Sequence, residues 1–150
     1  LAADAVVRRM TGELEGHPAT PAQIRGLGAL TERIIESEML DWHRFGSRRA
    51  VAAITGLCPS IWSTGATRRE GPITKCGRPR LRRALIEAAW RLLQFQPAYG
   101  PVAQWAPRMA AGGAATRKRA IVAIARRLAV DLWRIRTGRA TASQLGLLGA

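Results

Sequence analysis

The sequence predicts a mainly α-helical domain with a helix-hairpin-helix-like turn and one irregular loop or short hairpin near residues 58–77. Apolar residues recur at helical spacing in several segments, and no succession of short alternating runs suggests a ladder of strands. At 150 residues the chain has the size of one domain. A chain of that length buries roughly 68–70% of its unfolded surface, enough for a real core.

Residues 1–11 read as the end of a preceding helix broken at Gly12, and GHPATPAQ, with its two prolines, as an extended linker. The main domain is therefore expected over 20–140, with 1–19 leading into it and 141–150 as a short, frayed tail. In IRGLGALTERIIESEM, Gly26 and Gly28 flank Leu27 in a tight turn, and Leu30, Ile34 and Ile35 then follow a helical period. A Gly-x-Gly turn lets main-chain amides approach a phosphate at a helix N-terminus. It equally serves as a plain helix-to-helix turn, because the signal alone is weak.

SRRAVAAIT (47–55) predicts a short helix with Ser47 as N-cap and Gly56 as its stop. LCPSIWSTGATRREGPITK mixes β-branched residues with Pro and Gly and shows no helical period. From Pro79 the period returns: Leu81, Leu85, Ala88, Leu92 and Phe95 form one stripe, with Ile86, Trp90 and Leu93 beside it. Pro79 suits a first turn, where its missing amide hydrogen costs nothing. Arg83–Glu87 and Glu87–Arg91 are spaced to pair. Residues 96–116, rich in Pro, Gly and Ala, are expected to cross the surface without regular structure. A last long helix follows, with Ile121, Ile124, Leu128, Leu132 and Ile135 at helical spacing and Gly138 ending it.

Charge narrows the function. The chain holds 24 Lys and Arg against 10 Asp and Glu, a formal +14. Residues 1–67 carry seven of each sign, so the whole excess lies beyond them, in two clusters at 68–83 and 108–139. A one-sided excess repels itself unless a polyanion neutralises it, and nucleic acid is the obvious partner. No stretch reaches the eighteen or so apolar residues of a membrane span, and the opening LAADAVVRRM lacks both an initiator Met and the order of a secretion signal. The expectation is a soluble, intracellular protein, cut from something longer. Cys58 and Cys76 form no CxxC pair and lie far from His17 and His43, so they read as free thiols, and no metal site is expected. Core packing is the expected role of Trp90 and Trp133. Trp62, beside the hydroxyls, has base stacking as a second reading, and His43 reads as a surface or packing residue.

Residues 62–83, WSTGATRREGPITKCGRPRLRR, set two adjacent hydroxyls and a glycine before seven Lys or Arg and one Glu. Covalent phosphoryl chemistry wants such an arrangement: an alcohol to reach phosphorus, and cations to hold the nonbridging oxygens. A phosphate-binding loop with no chemistry uses the same letters, and composition alone favours that plainer reading.

The run GLCPSIWSTGATRREGPITKCGRPRLRRALIEAAW resembles the C-terminal transposase domain of the 110/116/902 group of bacterial insertion sequences, bridge-RNA-guided recombinases related to the invertase Piv. IRGLGALT stands where that family has its Gly-x-Gly turn. DWHRFGSRRAVAAITGLCPS resembles its Arg-Phe then Leu-Pro stretch, and RKRAIVAIARRLAVDLWRIRTGR its closing helix, so the likeness covers about residues 20–140. It implies DNA cutting and rejoining by a serine in a Ser-Ser-Gly-like loop, aided by a separate acidic domain that holds magnesium. Here the loop is Ser63-Thr64-Gly65; the usual nucleophile aligns with Thr64, whose methyl crowds the hydroxyl, and Ser63 adjoins it. Arg78-Pro79 is a second departure, since the family commonly has a small polar residue there. The resemblance implies Thr64 and Ser63 as catalytic candidates. Arg68, Arg69, Lys75, Arg78, Arg80, Arg82, Arg83, Gly26 and Gly28 are the expected nucleic-acid contacts. The resemblance implies the bacterial cytoplasm and its nucleoid as the setting, DNA as the partner, a guide RNA as a candidate one, and a homo-oligomer as the full-length assembly. Magnesium is expected only with the acidic domain. A binding module without chemistry, or an inactive transposon fragment, is the alternative.

Overall fold

The computed structural model describes residues 24–149. The helix end and linker expected at 1–19, with His17, lie outside them. Five helices and one hairpin succeed one another: α1 (Ala29–Met39), a 3-10 turn (Trp42–Arg44), α2 (Arg48–Thr55), β1 (Pro59–Thr64), β2 (Thr67–Ile73), α3 (Pro79–Phe95), α4 (Gly100–Ala111), α5 (Ala114–Arg136) and a second 3-10 turn (Ser143–Leu145).

Helices α3 and α5 form the centre. Helix α1 packs on α3, while α2 and α4 pack on α5. From α3, Leu81, Leu85, Ala88 and Leu92 are sealed in the core, where they meet Ile124, Ala125 and Leu128 of α5. The expected stripe on α3 is thus the buried one as far as Leu92. Trp90 departs from expectation at 50% exposure. It stands nine residues after Leu81, which at about 100° per residue is half a turn from the buried line. Trp133 is buried, as is Trp42, whose indole Nε1 donates to Glu36 Oε2 at 2.7 Å.

The caps of α2 explain its length. Ser47 Oγ accepts from Ala50 N at 3.2 Å, and Gly56 leaves the helix in the left-handed region at φ 66°. Pro79 occupies the first turn of α3.

Two further expectations, about regions outside the main helices, are overturned. Residues 100–111 are helical, not irregular: Pro101 falls in the first turn of α4, where a missing amide hydrogen is harmless, and Val102 is buried. Pro107 lies inside α4 and forfeits one internal bond without ending the helix. The chain end is likewise docked, not frayed. Leu147 is buried, Gly149 bridges to Ile24, and the sealed side chain of Gln96 donates to Arg25 O and Leu148 O and accepts from Leu148 N. A buried amide that satisfies three backbone groups ties both ends of the described chain to the end of α3.

Ion pairs also fall elsewhere than the spacing suggested. Among the described residues Glu87 takes part in none, and Arg136 instead joins α5 to Glu32 and Glu36 of α1. Burial raises the Glu32 carboxyl above its usual range, against the lowering effect of Arg136.

Candidate functional site

The segment at 59–73 is an antiparallel hairpin, closed by Gly65 and Ala66 between Thr64 and Thr67. Gly65 takes φ +58°, which fits a two-residue turn that needs a positive φ at its first position. Toward the base the register slips between Pro59/Ile73 and Ile61/Glu70, leaving an extra residue in β2 beside Pro72. Proline cannot donate to the ladder, and the Ser60 hydroxyl donates instead to the Pro72 carbonyl at 2.8 Å. Past the hairpin, Lys75 N donates to Gly56 O and Arg78 N to Ile54 O. Gly77 crosses the end of α2 so closely that a Cβ there would stand 2.3 Å from Ile54 O, which leaves no room for a side chain.

The hairpin carries the hydroxyls to its outer end. Ser63 lies directly opposite Arg68, and Thr64 opposite Thr67. Successive strand residues point to opposite sides, so Ser63 shares a face with Arg68, and Thr64 shares the other with Thr67 and Arg69. All five side chains are exposed. Of the irregular loop or short hairpin that the sequence allowed, the segment is the hairpin, and it puts the alcohols on two faces of a strand end. Each face holds its own arginine.

The expected basic residues divide by role. Arg78 pairs with Glu38 at 3.4 Å, tying α3 to α1, and Arg82 Nη1 donates to Lys75 O at 3.4 Å across the hairpin's root. Arg68, Arg69, Lys75, Arg80 and Arg83 are exposed on the hairpin, its return and the first turns of α3. Gly26 and Gly28 are elsewhere. Gly26, at φ +91°, lies against Phe95 at the far end of α3, and Gly28 caps α1 beside Arg91. Fifteen residues of helix separate Phe95 from Arg80, about 22 Å at 1.5 Å per residue, so the turn and the hairpin are not one site. His43 is exposed on the turn after α1, and its backbone amide donates to Asp41.

The second basic cluster, at 108–139, contributes more than the sequence indicated. Arg126 and Arg127 of α5, with Arg48 and Arg49 of α2, line a groove of ≈ 880 Å³ whose far wall is α4 with Trp105. A neighbouring hollow of ≈ 720 Å³ shares Trp105, Ala123 and Arg126 and reaches the hairpin root at Glu70–Ile73. Behind the groove Asp131 is 1% exposed; it accepts from Tyr99 Oη at 2.6 Å, Arg127 Nε at 3.1 Å and Arg134 Nη1 at 3.4 Å. Burial, reinforced by the Asp131 charge, raises the Tyr99 phenol far above its usual range, so it remains a donor. The sequence hint was the seven-residue interval from Arg119 to Arg126 with small Ala123 between them, which places all three on one side of a helix.

Among the described residues no three His, Cys, Asp or Glu side chains gather as metal ligands. Cys58 is half-buried and Cys76 exposed, both free. No helix among the described residues is long and apolar enough to cross a membrane.

Residues 22–104 match the family described as Transposase IS116/IS110/IS902. The chain is 36% identical over 119 residues to "Putative transposase y4rJ" of Sinorhizobium fredii (strain NBRC 101917 / NGR234), a match covering 78% of this chain and 30% of that protein. It is 32% identical over 120 residues to "Transposase for insertion sequence element IS1328" of Yersinia enterocolitica, covering 76% of this chain and 34% of that protein. The matches thus span about a third of the length of these relatives.

Proposed function

From the premise that the chain belongs to the IS116/IS110/IS902 transposase family, we propose that it is the DNA-binding and strand-exchange portion of an insertion-sequence transposase, in which a hairpin alcohol attacks a DNA phosphodiester. The observation that carries this reading is the exposed hairpin end, where Ser63 faces Arg68 across the ladder and Thr64 lies on the face of Arg69. The attacking oxygen forms a bond to phosphorus as a bond to one deoxyribose oxygen breaks. The alcohol loses its proton, and the departing deoxyribose oxygen gains one. Arginine on the same face is suited to hold the nonbridging oxygens as their charge grows. Arg80, Arg83 and Lys75 add phosphate contacts that position the strand without reading its sequence.

Opposite faces give the two hydroxyls unequal roles: one meets the phosphate and the other does not. The full-length protein works in this proposal as a homo-oligomer, with DNA and a guide RNA as partners, and with magnesium held by an acidic domain beyond the described residues. That metal, when bound, would supply Lewis-acid stabilisation of the phosphoryl oxygens.

The test is adduct trapping on a nicked suicide DNA substrate with full-length protein. Ser63→Ala and Thr64→Ala together should abolish the adduct, and one of the single variants should do so alone. An undiminished adduct in the double variant overturns the chemistry. Unchanged, salt-sensitive DNA affinity in that variant then leaves a binding module.

A further inference from the structure

A second gathering of positive charge lies away from the hairpin tip. Four arginines, Arg48, Arg49, Arg126 and Arg127, converge on the groove between α2, α4 and α5, and no acidic residue lines it. Like charges gather there at a cost, since the four line one groove with no acidic residue on its wall. The placement of Arg127 is built into the core. Asp131 is sealed behind α5 and takes the Arg127 Nε–H at 3.1 Å, while Tyr99 holds the same carboxylate oxygen at 2.6 Å. A guanidinium fixed through Nε keeps its terminal N–H groups for another acceptor, and a preset orientation reduces the entropy lost when that acceptor binds. Trp105 sits where the groove opens into the neighbouring hollow, with Arg108 over its ring at 5.0 Å.

We propose that this groove binds one single strand of nucleic acid through its phosphodiester backbone and leads it toward the hairpin root. The size decides between strand and duplex. A space of ≈ 880 Å³ corresponds to a cube about 10 Å on edge, and a duplex, whose major groove alone is roughly 12 Å wide, exceeds it in cross-section. A single backbone, with a base turned toward Trp105, fits the mixture of arginine walls and one aromatic, which is how sequence-tolerant single-strand sites are made. The neighbouring hollow, bordered by Lys118, Arg119 and Arg126, ends at Glu70–Ile73 of β2. The path therefore runs to the foot of the arm that carries Ser63 and Thr64. The inference shares a polyanionic partner with the proposed function but does not rest on the hairpin chemistry.

The experiment measures binding of a fluorescent 20-base oligonucleotide, as single-stranded DNA, single-stranded RNA and duplex DNA, to the full-length protein over a range of salt. Arg49→Gln with Arg126→Gln should weaken single-strand binding at least tenfold and lower the salt slope by about 1.4, since each phosphate contact on a single strand contributes roughly 0.7. The arm that loses more, DNA or RNA, identifies the strand held. Arg25→Gln with Arg117→Gln removes the same charge from exposed positions outside the groove and should change binding less than threefold. Equal losses in the two pairs, no loss in the groove pair, or an equal loss for duplex overturns the proposal. Ser63→Ala with Thr64→Ala should leave this binding intact, so failure of the groove and failure of the hairpin chemistry are read separately. Thermal unfolding of both arginine pairs, expected to match the unaltered protein, excludes misfolding as the source of a loss.

Discussion

Helix α3 seals Leu81, Leu85 and Leu92 into the core and α5 does the same with Ile124 and Leu128, whereas β2 leaves its first four residues exposed and β1 ends on two bare alcohols. The helices are fixed by what they bury. The hairpin is fixed only at its root, by backbone bonds such as Thr74 N to Cys58 O at 2.9 Å and by the close crossing of Gly77 over α2. Two strands alone are marginal in water, so the arm borrows its order from the helices. Its outer residues contribute little to that order, which leaves their chemistry to be explained by an external partner.

That contrast can be broken most forcefully at the core. Leu85→Ala should cost about 2–5 kcal/mol in denaturant unfolding, because a sealed leucine leaves a cavity behind. A loss below about 1 kcal/mol would mean that α3 and α5 are not the stabilising pair. A smaller effect, about 1–3 kcal/mol, is expected for Gln96→Ala, which strands buried backbone groups of Arg25 and Leu148. Tyr99→Phe should cost about 1 kcal/mol by removing one of the three donors to Asp131. At the other extreme, Ser63→Ala, Thr64→Ala and Arg68→Gln should each shift stability by no more than about 0.5 kcal/mol, as surface substitutions do. A large destabilisation at the tip would erase the distinction between the two regions.

The sequence made the helices legible where local chemistry and packing agree. Ser47 and Gly56 bracket α2 by capping, Pro79 opens α3, and the Ile121–Leu132 stripe marks α5. It misled where composition stood in for period. Pro101, Pro107 and the alanines of 100–111 suggested an irregular crossing, yet α4 tolerates one proline in its first turn and a second at the cost of a single bond. The docked tail was invisible for a different reason: Gln96 and Leu148 are 52 residues apart, and no local pattern announces their bonds. Trp90 shows the limit of stripes, since a residue beside an apolar line can still face water.

The hydroxyls and the basic run around them are visible in the sequence, but their geometry is not. Only the strand register puts Ser63 and Thr64 on separate faces and divides Arg68 from Arg69. The arginine groove was half visible, because α5 shows Arg126 and Arg127 while Arg48 and Arg49 arrive from a helix some 77 residues earlier in the chain.

The central claim is that the exposed hairpin end presents an alcohol to a DNA phosphate. Its most direct test is peptide mapping by mass spectrometry of the covalent protein–DNA adduct trapped with the full-length protein. The nucleotide should be found on the tryptic peptide 50–68, at Ser63 or Thr64; an adduct on any other peptide would rule out the hairpin alcohols as nucleophiles.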